Sequence, residues 1–403
     1  MTIGRTQGVS LQGLLGSLID IECDISDGIP MYSLLGLPDT SLQESRDRVR
    51  AALSNTGQKW PNKKVTVSLS PAWLPKSGPG FDLAIALALL VADGVLPQGP
   101  LEGAIILGEL SLDGGIRSVR GVLPSLIAAY KEGITRAIVP CANQGEAELM
   151  DQMEILSFEH ISEIYRWLST GEYPFSDVLD IDVEHSDELL DFSDVAGQPQ
   201  ARFAAEVAAT GGHHLLLIGP PGAGKTMIAS RIPTILPPLN EAQALEVTAI
   251  HSIAGGLNQR SVMSRTAPIV SPHHSASRAS IVGGGNRSIL PGAISLAHRG
   301  VLFIDEAPEC ASGILDSLRQ PLESGNITIA RQIGNVTFPA QFLLVLAANP
   351  CPCGKYSRRG LGCTCTSLQV RRYLGKLSGP LLDRIDIRVS VDPVSRVELD
   401  SKE

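Results

Sequence analysis

The segment HHLLLIGPPGAGKTMIASRI, residues 213–232, decides the fold of the second half of this 403-residue chain. Its centre, GPPGAGKT, satisfies the pattern GxxxxGK[ST] between a strand-like and a helix-like apolar run. Backbone N–H groups of such a glycine-rich loop turn toward phosphates, Lys225 neutralises their charge, and the Thr226 hydroxyl ligates Mg2+. The segment therefore predicts an ATP and Mg2+ site, with the cofactor-binding residues Gly219, Pro220, Pro221, Gly222, Ala223, Gly224, Lys225 and Thr226.

Two later apolar runs end in polar residues. VLFIDE (301–306) places Asp305 and Glu306 after a predicted buried strand, and FLLVLAAN (342–349) ends in Asn349. The carboxyl ends of strands in a doubly wound parallel sheet carry ligand-binding groups. We expect Asp305 to hold Mg2+, Glu306 to act as the general base on the attacking water, and Asn349 to contact the γ-phosphate or that water. Taken alone, the acidic pair would also suit a surface turn, and Asn349 a turn.

Four stretches carry a resemblance to a known family. They are DVAGQPQARFAAEVAATGGHHLLLIGPPGAGKT (194–226), SPHHSAS (271–277), GGGNRSILPGAISLAHRGVLFIDEAPE (283–309) and LSGPLLDRIDI (377–387). This half resembles the AAA+ module of magnesium chelatase motor subunits, and more closely the YifB and ComM group of chelatase-like bacterial proteins. The resemblance implies an AAA+ αβα parallel-sheet domain that binds and hydrolyses ATP with Mg2+.

The resemblance also implies an assembly. Arg384, in LLDRID, matches the arginine finger that reaches a neighbouring subunit's site, which implies a ring of this chain, usually a hexamer. From the residues alone, Arg384 would equally suit a salt bridge at a helix end. Segment 271–296 resembles the insertion within helix 2, and residues 326–341, with Arg331, resemble a hairpin that faces the pore. An ordinary surface hairpin is the alternative.

The first half resembles a different family. GPGFDLAIALALLVADGVLP (78–97) and GELSLDGGIRSVRGVLPSLIAAYKEGITRAIVP (108–140) resemble the proteolytic domain of Lon-type proteases. This implies a Lon-protease-like α+β domain over residues 1–172. Gly80 occupies the position of the nucleophilic Ser and Ser125 that of the Lys, so the Ser/Lys dyad is missing and protease activity is not expected.

Charge is distributed unevenly between the two halves. Residues 1–191 hold 13 Lys and Arg against 27 Asp and Glu, whereas residues 192–403 hold 20 against 15. Only the second half is therefore suited to a nucleic-acid backbone, although its arginines would equally serve subunit contacts and the nucleotide. We expect residues 173–191, which are acidic, to be a linker, and residues 192–403 to be an AAA+ domain truncated before its helical lid.

Hydropathy excludes a membrane class. The sequence holds no run of about 18 apolar residues, and its N-terminus lacks the charged segment and apolar run of a secretory signal. We expect a cytoplasmic protein with no membrane partner.

Four of the seven cysteines lie close together as Cys351, Cys353, Cys363 and Cys365. Four thiolates at such spacing suit a tetrahedral Zn2+ site. Because CxC is tighter than the usual CxxC knuckle, free thiols or a redox pair remain the alternative. The adjacent His273 and His274 receive no role.

The leading functional hypothesis is a ring-forming ATPase that acts on DNA. The resemblance to the ComM group implies a DNA helicase or branch-migration factor in recombination of incoming DNA, with single-stranded or branched DNA as its partner. One alternative is a magnesium chelatase-type motor that remodels a protein partner. Another is a nucleotide-binding scaffold without turnover, which the expected absence of the lid favours.

Overall fold

The computed structural model describes the greater part of the chain. The described residues are 3–171, 173, 190–255, 263–285, 289–331, 334–356 and 362–394. Most of the expected linker, at 174–189, lies outside them. The chain divides into two compact units, which are Met1–Val183 with His251–Met263, and Glu184–Ile250 with Ser264–Glu403. The boundaries expected from the sequence did not include the short second segment of the first unit.

Strands and helices alternate irregularly in the first unit. Its described strands are β1 (Gly4–Gln12), β2 (Leu15–Ser26), β3 (Met31–Leu35), β4 (Lys64–Ser70), β5 (Ala104–Ile106), β6 (Glu109–Leu110), β7 (Ile116–Arg117), β8 (Arg136–Pro140) and β9 (Glu154–Phe158). Its described α-helices before the linker are α1 (Thr40–Gln43), α2 (Ser45–Asn55), α3 (Asp82–Ala92), α4 (Val122–Lys131), α5 (Gln144–Ala147) and α6 (Ile161–Thr170). Seven strands form a mixed sheet in the order β3-β4-β2-β1-β5-β8-β9, and β6 pairs with β7. This is the mixed α and β domain that the sequence predicted.

Helix α3 forms the centre of the first unit. Its sequence, DLAIALALLVA, is apolar on every side, and each residue from Asp82 to Val91 is buried. A helix of this kind has no solvent face and packs inside a core. Asp82 receives two hydrogen bonds from Arg48, at 2.6 Å from Nε and 3.0 Å from Nη2. Burial raises the pKa of Asp82 to about 6, although the Arg48 guanidinium acts in the opposite direction.

The second unit contains a parallel sheet with helices between its strands. Its described strands are β10 (Leu215–Ile218), β11 (Ile269–Val270), β12 (Gly283–Gly284), β13 (Leu290–Pro291), β14 (Val301–Ile304), β15 (Asn326–Arg331), β16 (Gly334–Pro339), β17 (Leu343–Ala348) and β18 (Ile387–Ser390). The α-helices that follow the linker are α7 (Pro199–Gly211), α8 (Lys225–Arg231), α9 (Glu241–Ala254), α10 (Arg278–Val282), α11 (Ala293–Leu296), α12 (Ser312–Ser317), α13 (Arg319–Ser324), α14 (Ser367–Leu374) and α15 (Gly379–Leu382). Five strands form the sheet in the order β11-β14-β17-β10-β18, and every adjacent pair is parallel. The predicted parallel sheet is confirmed.

Continuous burial of the central strands explains this sheet. All residues of β14 and β17 are buried, as expected for parallel strands covered on both faces. Ile218 of β10 pairs with Ala348 of β17, and Ile304 of β14 pairs with Leu346 of β17. The carboxyl ends of three neighbouring strands therefore lie along one edge of the sheet, where the site residues follow them.

Candidate functional site

The phosphate loop (residues 219–226) joins the end of β10 to the start of α8. Gly224 adopts a left-handed conformation, with φ +91°, just before Lys225 begins the helix. The Lys225 ammonium is buried and donates hydrogen bonds to Gly219 O at 2.7 Å, Pro220 O at 3.0 Å and Asn349 Oδ1 at 3.2 Å. Burial lowers the pKa of Lys225, whereas Asp305 and Glu306 act in the opposite direction. Three acceptors therefore hold this cation at the loop.

Thr226 and Asp305 supply a pair of oxygen atoms suited to Mg2+. The Thr226 hydroxyl donates to Asp305 Oδ2 at 2.8 Å. Mg2+ prefers hydroxyl, carboxylate and water oxygens, and its small coordination sphere brings neighbouring ligand oxygens about this close. The donor set thus fits the metal that the sequence implied. When bound, Mg2+ would neutralise charge on the nucleotide phosphates.

Glu306 has an unusual backbone at the end of β14. Its φ of +48° and ψ of +40° lie in the left-handed region, which costs a non-glycine residue about 1–3 kcal/mol. The Glu306 N–H donates to Asp305 Oδ1 at 2.8 Å. This turn directs the two successive carboxylates differently: Asp305 contacts Thr226, and Glu306 contacts another partner.

That partner is His274, which sequence reasoning missed. His274 Nδ1 lies 3.3 Å from Glu306 Oε2, and the His274 ring contacts the His273 ring, with centroids 4.1 Å apart and the ring planes tilted by 34°. The sequence signal that could have revealed His274 is its position: SPHHSAS (271–277) directly follows β11, an edge strand of the sheet that carries the site. The motif alone does not reveal which carboxylate the imidazole meets.

Arg384 contacts a side chain of the same chain. Its Nη2 is hydrogen-bonded to Glu323 Oε1, and both side chains are about half exposed on the surface. The described contacts of Arg384 thus do not join it to Lys225, Thr226 or Asp305. An arginine finger acts on a neighbouring subunit, so this surface position is compatible with that role and with a plain salt bridge.

The two segments expected at a ring pore form short local structures. Segment 271–296 contains α10, α11 and the β12–β13 pair, with residues 286–288 outside the described residues. Strands β15 and β16 form the expected hairpin, with the Thr328 and Thr337 hydroxyls 2.9 Å apart. The side chain of Arg331 lies outside the described part.

The four clustered cysteines come together in space. Their sulfurs all lie within 4.8 Å of one another, and none forms a disulfide. Cys351 Sγ is 3.3 Å from Cys353 Sγ and 3.7 Å from Cys363 Sγ, and the Tyr356 N–H points at Cys351 Sγ from 3.4 Å. A hydrogen bond from the Lys355 backbone lowers the pKa of Cys353 to about 6. This arrangement could hold a metal ion.

Comparison with known proteins identifies the family. The family model "Magnesium chelatase, subunit ChlI" matches residues 191–399, and "Subunit ChlI of Mg-chelatase" matches residues 21–143. An uncharacterized protein of Mycobacterium tuberculosis (strain ATCC 25618 / H37Rv) is 50% identical over 97% of this chain and 77% of its own length. The uncharacterized protein YifB of Escherichia coli K12 is 44% identical over 93% of this chain and 72% of its own. The competence protein ComM of Haemophilus influenzae is 41% identical over 97% and 77%.

The chain belongs to the magnesium chelatase-like family that includes YifB and ComM. Members of this family carry an AAA+ module, which implies ATP and Mg2+ as ligands and oligomeric rings as the usual assembly. In this family member, the residues expected to bind the nucleotide lie together, and the four cysteines lie beside one another.

Similarity to Lon extends over less of the chain. The Lon protease of Clostridioides difficile is 26% identical over 187 residues, which are 42% of this chain and 23% of that protease. At the two dyad positions, Gly80 has no side chain, and the buried Ser125 hydroxyl donates to Gly121 O at 2.7 Å. The expectation that this family member lacks protease activity stays a prediction.

A helix that crosses a membrane must be long and predominantly apolar. None of the helices in the described ranges is both long enough and apolar enough to cross a bilayer.

Replacing Lys225 by Ala should weaken nucleotide binding by about 10- to 100-fold, because a hydrogen bond to a charged group contributes about 1.5–3 kcal/mol. Equilibrium titration of a fluorescent ATP analogue would measure the loss. Lys376→Ala is the matched control, since Lys376 Nζ lies 3.7 Å from Glu309 Oε2 on the surface. Equal affinities of Lys225→Ala and the parent would contradict the assignment.

Proposed function

We propose that this protein is a ring-forming AAA+ motor that hydrolyses ATP. The proposal rests on one observation, which is the set of polar groups at the carboxyl edge of the parallel sheet. Lys225, Thr226 and Asp305 bind the phosphates and Mg2+, Asn349 contacts the γ-phosphate or the attacking water, and Glu306 activates that water. Each role follows from the chemistry of the side chain and from its position around the phosphate loop.

Glu306 is the residue that distinguishes turnover from binding alone. A carboxylate in reach of the attacking water accepts its proton, and a general base of this kind typically contributes about 10²–10⁴-fold to the rate. The His274 contact at 3.3 Å restrains the Glu306 side chain, which stays 45% exposed.

We predict that Glu306→Gln keeps ATP affinity and loses hydrolysis by about 10²–10⁴-fold, since the amide preserves size but cannot take a proton. Steady-state phosphate release with Mg2+ would measure turnover. Glu309→Gln is the control, because Glu309 lies three residues further on and contacts Lys376. Parental turnover by Glu306→Gln would remove Glu306 from the mechanism.

We further propose that Arg384 completes the site of an adjacent subunit. Its guanidinium is about half exposed, and its partner Glu323 is also on the surface, so a neighbouring subunit could reach it. A guanidinium would stabilise charge that develops on the transferred phosphoryl group.

Mixing two inactive variants tests this arrangement. Arg384→Ala and Lys225→Ala should each lack hydrolysis. In a random 1:1 mixture, about a quarter of the interfaces would combine an intact Lys225 with an intact Arg384 from the neighbour. Recovery of activity on mixing is expected, whereas a mixture as inactive as its components would mean that Arg384 does not act between subunits. Arg388→Ala is the control, because the Arg388 guanidinium donates a hydrogen bond to Leu382 O of the same chain.

DNA is the substrate we propose for the motor, and the role is that of a helicase or branch-migration factor. Support comes from the relationship to a competence protein and from the net positive charge of residues 192–403. Cationic side chains that face DNA phosphates release counterions, which makes binding salt-dependent.

Single-stranded and forked DNA should raise the ATPase rate of the full chain, and the increase should shrink between about 50 mM and about 200 mM salt. Duplex DNA without a fork is the comparison. A rate that no DNA changes would favour the alternative of a motor that remodels a protein partner. Nucleotide binding without turnover under every condition would favour a scaffold.

Zinc is the metal we propose for the cysteine cluster. Four sulfurs in a tetrahedron at about 2.3 Å from one zinc ion lie about 3.8 Å apart. The sulfur of Cys363 lies at a similar distance, 3.7 Å, from the sulfurs of Cys351 and Cys353. A reducing compartment such as the cytoplasm would keep these thiols available for the metal.

A further inference from the structure

The four cysteines belong to a segment that begins beside the nucleotide site. Asn349, which accepts a hydrogen bond from Lys225, stands two residues before Cys351. We name residues 351–356 and 362–365 the cysteine knuckle. Within it, the Gly354 N–H donates to Cys351 O at 2.9 Å. This hydrogen bond closes a tight turn over residues 351–354, which contains the first two cysteines.

Gly354 also lies directly against the phosphate loop. A Cβ atom placed on Gly354 would be 2.7 Å from Cδ and 2.9 Å from Cγ of Pro221. Real Cβ atoms do not approach other atoms so closely, so the Gly354 backbone must rest on the Pro221 ring. Because atoms packed this closely cannot overlap, a movement of Gly354 toward Pro221 would displace the proline ring and the loop that carries it.

The other end of the knuckle leads to a second contact with the site. Helix α14 begins two residues after Cys365, and its buried Tyr373 lies against Asn349. Burial raises the pKa of Tyr373 to about 12, so the phenol stays neutral. The cysteine knuckle therefore contacts the phosphate loop at Pro221, and the helix that follows the knuckle contacts Asn349.

We propose that a metal ion bound by Cys351, Cys353, Cys363 and Cys365 holds the phosphate loop in its nucleotide-binding conformation through the Gly354–Pro221 contact. An ion bound by four thiolates joins residues 351–356 to residues 362–365 at one point, which removes the conformational freedom that would otherwise let Gly354 move off Pro221. Nucleotide and metal binding are then coupled. This inference rests on the proposed nucleotide site and adds a metal requirement to it.

Coupling of this kind works in both directions. If the metal raises nucleotide affinity by some factor, the nucleotide must raise metal affinity by the same factor. Typical couplings between sites correspond to about 5- to 150-fold. A metal that merely stabilises the fold of its own segment would not respond to the nucleotide.

The full chain loaded with Zn2+ provides the direct test. Affinity for a fluorescent ADP analogue would be measured with Mg2+ present, before and after removal of zinc by a zinc-selective chelator. Zinc affinity would be measured by competition with a chromophoric chelator, with and without ADP. We expect nucleotide affinity to fall on zinc removal and zinc affinity to rise with ADP, both by about 5- to 150-fold.

Two glycines in the knuckle make a matched pair of variants. Gly354 and Gly362 both have positive φ, +72° and +88°, so alanine brings comparable backbone strain at each. At Gly362, however, the added Cβ would meet only Lys355 Cδ, at 4.0 Å. We expect Gly354→Ala to keep one zinc ion per chain and lose nucleotide affinity, and Gly362→Ala to keep both.

The outcomes separate this inference from the proposed function. Equal nucleotide affinity with and without zinc, or equal affinities of the two alanine variants with zinc retained, would overturn the coupling and leave the motor intact. A chain that takes up no zinc would also overturn it. A zinc-loaded chain that binds no nucleotide would refute the nucleotide site and the coupling together. If Gly354→Ala loses its zinc, the measurement on the unmodified chain decides.

Discussion

The parallel pairing of β10 with β17 is the constraint on which the second unit depends. The register of the two strands pairs Ile218 with Ala348. At the end of this pairing, the Gly219 N–H donates to Ala348 O at 3.1 Å. Two apolar strands can pair in this way only if both faces are covered, which the helices of the unit provide. The pairing brings the phosphate loop and Asn349 side by side, although more than a hundred residues separate them in the chain.

The sequence could predict those parts of the site that a local pattern specifies. The glycine-rich loop, and the polar residues that end β14 and β17, gave the positions of Lys225, Thr226, Asp305 and Asn349, because strand ends in a parallel sheet share an edge. The four cysteines were also grouped correctly by spacing alone. Their roles with nucleotide and metal are proposals, whereas their proximity is a property of the fold.

Contacts between segments that no pattern joins could not be predicted. The meeting of His274 with Glu306 depends on the left-handed turn at Glu306, and that turn is unusual for a glutamate. The approach of Gly354 to Pro221 depends on atomic packing between two loops. Likewise, the grouping of His251–Met263 with the first unit follows from long-range contacts rather than from composition or periodicity.

The hydrogen bonds of Lys225 have a consequence for how tightly any phosphate is held. An ammonium group has three N–H donors, and Gly219, Pro220 and Asn349 supply three acceptors. An arriving phosphate therefore competes with the protein's own oxygens for a cation that is already satisfied. The measured affinity is a difference between two sets of hydrogen bonds, and Asn349 Oδ1, an acceptor like the phosphate oxygens, loses its cation to the phosphate that displaces it.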